Sequence, residues 1–208
     1  MNHVSALYAF DRRYLSQPQD LIAGVDEVGR GPLAGPVVAS AVIFFPNAPQ
    51  FPVQDSKKLS PKTRRTLFHQ IIRFAFVGMG MVDESEIDRI NIYQATRVAM
   101  KKALLSLPQT PNHVLIDGTM KLDISYSQQA IVKGDTKSAS IAAASIVAKV
   151  FRDEWMNRLE ALYPDYGFSK HKGYGTPEHL EKMQKAGPSP VHRRSFAPVQ
   201  KFFKPLSL

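Results

Sequence analysis

Two apolar runs near the start of the chain, Leu21-Ile22-Ala23-Gly24-Val25 and PVVASAVIFF over 36–45, read as strands. What separates them leaves little freedom in how they pair. The connection is short and dense in glycine and proline, so the two runs must join tightly within one sheet. It opens on two adjacent carboxylates, Asp26 and Glu27, and continues into Gly29-Arg30-Gly31. Paired carboxylates at a strand end can hold a hard divalent cation. An arginine between glycines lets backbone come close to a polyanion. Acid for metal beside glycine and arginine for phosphate points to chemistry on a phosphodiester.

The rest of the chain supplies elements to build around that turn. Ser60-Pro61 starts a helix, with serine as the cap and proline at the first helical position, and the helix runs to about Phe74. Phe76 to Val82 alternates weakly, as a strand does. Asn91 with Gln94 resembles a capping box, and Ile92, Ala95, Val98, Ala99 and Ala103 form a helical stripe to about Leu107. Val114 to Ile116 and Ala130 to Val132 are short buried strands. The longest helix follows, with Ile141, Ala144, Ala148, Phe151, Trp155, Leu159 and Leu162 on its stripe and Arg152, Asp153 and Arg158 mostly off it. Strands early and helices late, around a mixed sheet, predict an α/β fold. In 208 residues, 44% of them hydrophobic, there is material for one domain with a sizeable core. Residues 1–20 read as a lead-in and 21–208 as the domain. From about 168 that domain turns basic, with eight Lys or Arg against Glu178 and Glu181.

Charge and composition narrow the function. Lys plus Arg is 27 and Asp plus Glu is 18, a net +9, which favours a polyanionic partner such as nucleic acid, although a basic surface alone would give the same sum. The absence of cysteine excludes disulfides, thiolate zinc sites and cysteine nucleophiles. No apolar run reaches the roughly 18 residues of a membrane span, so a soluble cytoplasmic protein is expected. His171 and His192 lack metal-ligand spacing and read as loop or surface histidines.

Three acids share one context. Asp26, Asp117 and Asp135 each lie at or just beyond a short apolar strand, and Asp117 and Asp135 adjoin a glycine. If the strands pair, their ends cluster these carboxylates with Glu27. An oxygen-only set suits Mg²⁺ or Mn²⁺ rather than zinc. Each acid alone is more often a solvated loop residue, and Asp135 has the further reading of a helix cap. Lys57, beside Lys58, either contacts phosphate or leads into a helix. Tyr174 either stacks on a sugar or base or packs in its loop. Gly29 to Ala34 also fits G-x-G-x-x-A, the dinucleotide fingerprint, but that motif must open a helix, and here a strand follows.

Taken in order, GVDEVGRGPLAGPVVASAVI, DSKKLSPKTRR, LIDG, IVKGD, IAAASIVAKVFRD, YGFSKHKGYGT and HRRSF resemble ribonuclease HII over about Ile22 to Phe196. The resemblance implies a ribonuclease H-like fold, a mixed central sheet flanked by helices, with a helical C-terminal region. It implies an endonuclease that hydrolyses the RNA strand of RNA–DNA hybrids and nicks duplex DNA 5′ of embedded ribonucleotides, leaving 5′-phosphate and 3′-hydroxyl ends. By the same resemblance Asp26, Glu27, Asp117 and Asp135 bind two Mg²⁺ or Mn²⁺ ions. Gly29, Arg30 and Gly31 become the loop whose backbone senses a 2′-hydroxyl, and Tyr174 the residue that reads the junction. Lys57 is carried as a substrate contact. The related ribonuclease HIII has an extra N-terminal domain and a different glycine loop. Only about 20 residues precede the core here, which favours HII. A monomer is expected, with the tail Phe202 to Leu206 packed on the core. Two rivals share the fold. A non-catalytic binder would have lost one of the acids, and a transposase or resolvase would cut all-DNA substrates.

Overall fold

The computed structural model describes residues 3–203. Its centre is a mixed five-stranded sheet in the order β3-β2-β1-β4-β5. The strands are β1 (Ile22–Val28), β2 (Val37–Phe44), β3 (Ala75–Val82), β4 (His113–Asp117) and β5 (Ser127–Ile131). β1, β2 and β3 form an antiparallel meander, while β4 and β5 lie parallel to β1 and to each other. β2 is buried along nearly its whole length, as its unbroken apolar sequence requires in a sheet covered on both faces.

Helices cover the two faces. On one side lies α3 (Glu84–Leu105), packing Ala95, Ala99, Met100 and Ala103 against β1 and β2. On the other lie α2 (Pro61–Phe74) and α4 (Ala139–Leu162), the latter with its alanine-rich first half against the sheet. Gly24 in β1 is what allows that contact to be so close. A Cβ there would sit 2.1 Å from the Ser140 carbonyl carbon. Further along, the Ser40 hydroxyl donates to the Ala144 carbonyl at 2.8 Å. Beyond the sheet, α5 (Phe168–His171), α6 (Pro177–Ala186) and α7 (Ala197–Gln200) make the helical C-terminal region. No described helix is long and apolar enough to cross a membrane.

Several boundaries differ from the sequence reading. β1 extends through Asp26 and Glu27, which therefore lie in the strand rather than after it. The Asn91 cap is present, its Oδ1 accepting the Gln94 N–H at 3.1 Å. It interrupts a helix already begun at Glu84 behind an Asp83 cap, and Asn91 takes φ 67° at the break. The lead-in is also structured. Residues His3–Arg12 form α1, whose Leu7 is buried and whose Asp11 accepts the Ser140 N–H at 2.8 Å at the start of α4. Of the tail expected to pack on the core, Phe202 and Phe203 are exposed, and Lys204 to Leu206 lie outside the described residues.

Candidate active site

Parallel pairing of β1 with β4 assembles the acids. Val25 is in register with Ile116, so the next residue of each strand, Asp26 and Asp117, emerges at the same edge of the sheet. β5 ends beside Asp117 and turns through Val132 and Lys133, the latter at φ 55°, into a 3-10 turn over Gly134–Thr136. That turn delivers Asp135. It is tied to its neighbour by the Gly134 N–H, which donates to Asp117 Oδ1 at 2.6 Å. Asp135 does not cap α4. Ser138 does, accepting from the Ile141 N–H.

All four acids line one cavity of about 360 Å³, together with Lys57 and Tyr174. Two other concavities are of similar size. One beside α1 holds Asp11 and Asp20 among mainly apolar walls, and one beneath α6 and α7 has no acid. Only the cavity at the strand ends gathers the cluster, and the charges there are costly. Asp26 is 7% exposed, and burial, then Glu27 and Asp117, push its carboxyl well above the usual carboxylate range. Glu27 is raised by burial and by Asp117, against the pull of Arg30 at 3.4 Å. Asp135 is raised by burial and by Asp117, with Lys57 and Lys58 opposing.

Such a set fits a hard divalent cation. Its donors are carboxylate oxygens, and a cation would relieve the repulsion that raises them. No three His, Cys, Asp or Glu side chains among the described residues close into a finished metal-binding group.

Gly29, Arg30 and Gly31 do not line the acid cavity but lie beside it, with Arg30 reaching Glu27 at 3.4 Å and Gly31 facing Tyr174, and three buried arginines shape this loop wall and the turns around it. Arg193 donates to the carbonyls of Gly29 (2.6 Å), Arg30 (3.0 Å) and Gly35 (2.6 Å). Arg152 donates to those of Ala34, Pro36 and Lys172. Arg64 grips the carbonyls of Ser56 and Leu59, fixing the turn that carries Lys57. In a trans peptide the N–H points opposite the C=O. With the Gly29 and Arg30 carbonyls turned inward to Arg193, the Arg30 and Gly31 N–H groups face the other way.

The flanking glycines have different reasons. Gly29 sits at φ 95°, and a Cβ there would strike the Arg152 side chain at 2.2 Å. A Cβ at Gly31 would meet only the Tyr174 ring, at 3.7 Å. Tyr174, 43% exposed, thus stands across from Gly31. Internal packing therefore explains glycine at 29, whereas no neighbour within the chain excludes a side chain at 31.

Sequence reasoning missed these arginines by treating charge as surface. Arg152 and Arg193 are fully buried. Burial, and for Arg193 also Arg152, pulls them down to about 10 and about 9, so both stay cationic at neutral pH. A periodic signal for Arg152 was present. The buried face of late α4 is Ala148, Arg152, Met156 and Leu159, while Phe151 and Leu162, assigned to the stripe, are exposed. His171 and His192 are likewise buried rather than superficial.

A family model for ribonuclease HII matches residues 23–199. The chain belongs to the ribonuclease HII family. It is 51% identical to the ribonuclease HII of Geobacillus kaustophilus over 199 residues, 95% of this chain and 76% of that one. The crystal structure of the ribonuclease H2 from Pyrococcus horikoshii OT3 superposes with TM-score 0.74 at 29% identity, covering 88% of this chain and 96% of that one. Bst-RNase HIII in complex with Mn²⁺ shares the fold, at TM-score 0.67 and 18% identity over 97% of this chain and 71% of that one. Ribonuclease HII membership makes the chain a ribonuclease H endonuclease, a hydrolase acting on RNA–DNA hybrids.

Proposed function

We propose that this endonuclease depends on Mg²⁺ or Mn²⁺, and that besides hydrolysing the RNA of hybrids it nicks duplex DNA 5′ of an embedded ribonucleotide. The ends left are a 5′-phosphate and a 3′-hydroxyl. The observation that carries the proposal is the meeting of Asp26, Glu27, Asp117, Asp135, Lys57 and Tyr174 around one cavity. The four carboxylates are the residues to hold metal. When bound, divalent ions at such a site activate water for attack on phosphorus and stabilise charge on the departing 3′-oxygen.

The chain's own groups select and align the strand. Asp26 and Asp117 are fixed by strand register, and Asp117 is further oriented by the Gly134 N–H. The outward N–H groups of Arg30 and Gly31 are donors for the ribose 2′-hydroxyl, the group that distinguishes RNA from DNA. Tyr174, facing Gly31, bounds the space for that sugar. Lys57, on its clamped turn, is placed for a phosphate.

The test is a duplex with one ribonucleotide, incubated with protein in Mg²⁺ and in EDTA, beside an all-DNA duplex of the same sequence. A nick 5′ of the ribonucleotide in Mg²⁺ alone is expected. Cleavage in EDTA, or of the all-DNA duplex, overturns the proposal.

A further inference from the structure

Three histidines from the C-terminal region are packed into one buried group behind Tyr174. His171 stacks on His179 with ring centroids 4.3 Å apart, and Phe168 meets both edge-on. His179 Nε2 lies 3.0 Å from His192 Nε2. His179 Nδ1 lies 2.9 Å from the Tyr174 carbonyl oxygen. At the far end, the Ser189 N–H reaches His192 Nδ1 at 2.9 Å.

Each proton in this chain of bonds can be placed from one fixed point. A backbone N–H can only donate. Ser189 therefore requires a bare Nδ1 on His192, which leaves the His192 proton on Nε2. That N–H points at His179 Nε2, which must then be bare, so His179 carries its proton on Nδ1 and donates it to the Tyr174 carbonyl. The same logic settles His171. The Gly173 N–H donates to its Nδ1 at 3.2 Å, so its Nε2–H donates to the Tyr166 carbonyl at 2.8 Å. This bonding pattern admits one tautomer for each ring. A second proton on His179 or His192 would set donor against donor. Burial pulls both rings down to about 4.

The result grips the backbone on both sides of one residue. The Gly173 N–H is bound by His171, the Gly173 carbonyl accepts the Leu33 N–H at 2.8 Å, and the Tyr174 carbonyl is bound by His179. Tyr174 thus has a clamped main chain under a ring that projects into the cavity. We infer that His192 and His179 form a tautomer-locked relay that positions Tyr174 against the glycine loop and so sets how efficiently the enzyme acts at a ribonucleotide. His192 and His179 touch no substrate in this scheme and are positioning residues. The inference rests on the reading of Tyr174 given above.

Two measurements test it. The first needs no variant. Nitrogen–proton correlation spectra of histidine-labelled full-length protein at pH 7 should show His171 and His192 protonated at Nε2 and His179 at Nδ1. Any other tautomer, or a charged ring among the three, refutes the relay. The second is a kinetic cycle on the single-ribonucleotide duplex. His192→Asn keeps an acceptor for Ser189 but has nothing to offer His179. It should lower kcat about 10- to 100-fold, the scale of an ångström-sized misplacement, with KM unchanged. In a Tyr174→Ala background the same substitution should have no further effect. Equal losses in both backgrounds would make His192 a general structural residue and overturn the inference. Should His192→Asn fail to fold, His179→Asn carries the same cycle, because it keeps a polar group near the Tyr174 carbonyl and drops the link to His192. An impaired Tyr174→Ala beside a fully active His192→Asn refutes the relay alone. A fully active Tyr174→Ala refutes the reading of Tyr174 on which it rests.

Discussion

Two walls, the acid cluster of the cavity and the glycine loop beside it, are built on opposite principles. On the acid wall, Asp26, Glu27 and Asp135 are raised first by burial and then by the like charge of Asp117, with Glu27 and Asp135 adding to Asp26. On the glycine-loop wall, Arg152 and Arg193 saturate inward-turned carbonyls with no carboxylate bonded to either guanidinium among the described residues. On the proposed reading the first wall is incomplete until a cation arrives. The second is finished within the chain itself. The difference separates what a ligand must supply from what folding supplies, and it can be attacked from either side.

The largest effect is expected on the acid wall. Asp26→Asn should reduce turnover by about 10³-fold or more, since metal-assisted charge stabilisation is worth several kcal/mol. In metal-free buffer the same variant should melt at a higher temperature than the wild type, because one buried like charge is gone. Thermal melts without and with Mg²⁺, beside the cleavage assay, check both halves. A lower metal-free melting temperature would erase the contrast between the walls.

On the loop wall the order reverses, with stability suffering first. Arg193→Ala strands three carbonyls that it had satisfied and should cost about 3–5 kcal/mol in urea unfolding. Arg193→Lys should recover only part of this, because an ammonium cannot reproduce the fork. A near-neutral Arg193→Ala would show that water replaces the guanidinium and that the wall is not self-contained.

The two glycines sharpen the comparison within a single turn. Gly29→Ala meets both a φ of 95° and the Arg152 side chain, so a loss of about 1–3 kcal/mol in stability is expected. Gly31→Ala has room, and its melting temperature should match the wild type while cleavage at a ribonucleotide falls. Equal melting temperatures for the two variants would contradict the packing described for Gly29.

The last effect is read as a slope, in the pH dependence of stability. His192 lies near 4 in the folded chain against an ordinary value of 6.5, with His179, His171 and the nearby Ser189 backbone facing it. Between those values the unfolded chain takes up a proton that the folded chain refuses. This histidine's contribution is therefore complete above about 6.5 and is lost as pH falls toward 4. His192→Asn should flatten the stability profile in that window by up to one proton, roughly 1.4 kcal/mol per pH unit. The raised carboxylates, including Asp11 at about 6, act in the opposite direction, but they are common to both proteins and cancel in the difference.

The acid wall was the legible one. Asp26, Asp117 and Asp135 adjoin short apolar runs, so a shared sheet would gather them, and the family resemblance tipped the choice from solvated loop residues to a site. The helix starts at Ser60-Pro61 and Asn91 were legible for the same local reason. The loop wall was not, because its logic is long-range. Arg193 lies far along the chain from Gly29, and nothing near either residue says that one supplies donors to the other. The histidines were hidden likewise, since a neutral imidazole in a hydrogen-bonded stack has no sequence spacing to announce it. The first strand's true length was obscured because an acid pair reads as the end of a strand, although pairing with β2 continues through Val28.

The close seating of α4 on Gly24 has a consequence for where the enzyme cuts. One uninterrupted helix starts beside the Asp135 turn and carries, roughly 20 Å along its axis from Ala139, the Arg152 side chain that packs against Gly29 and holds the Pro36 carbonyl. On the proposed reading, the place of bond breaking and the place where the sugar is sensed both abut the same rigid rod, itself pressed at its start directly onto Gly24 of the sheet. The offset between ribose and scissile phosphate is then a fixed length of the fold. A shift of the cut by one nucleotide would require the rod to slide, and a bulkier residue at position 24 is the change most apt to force it.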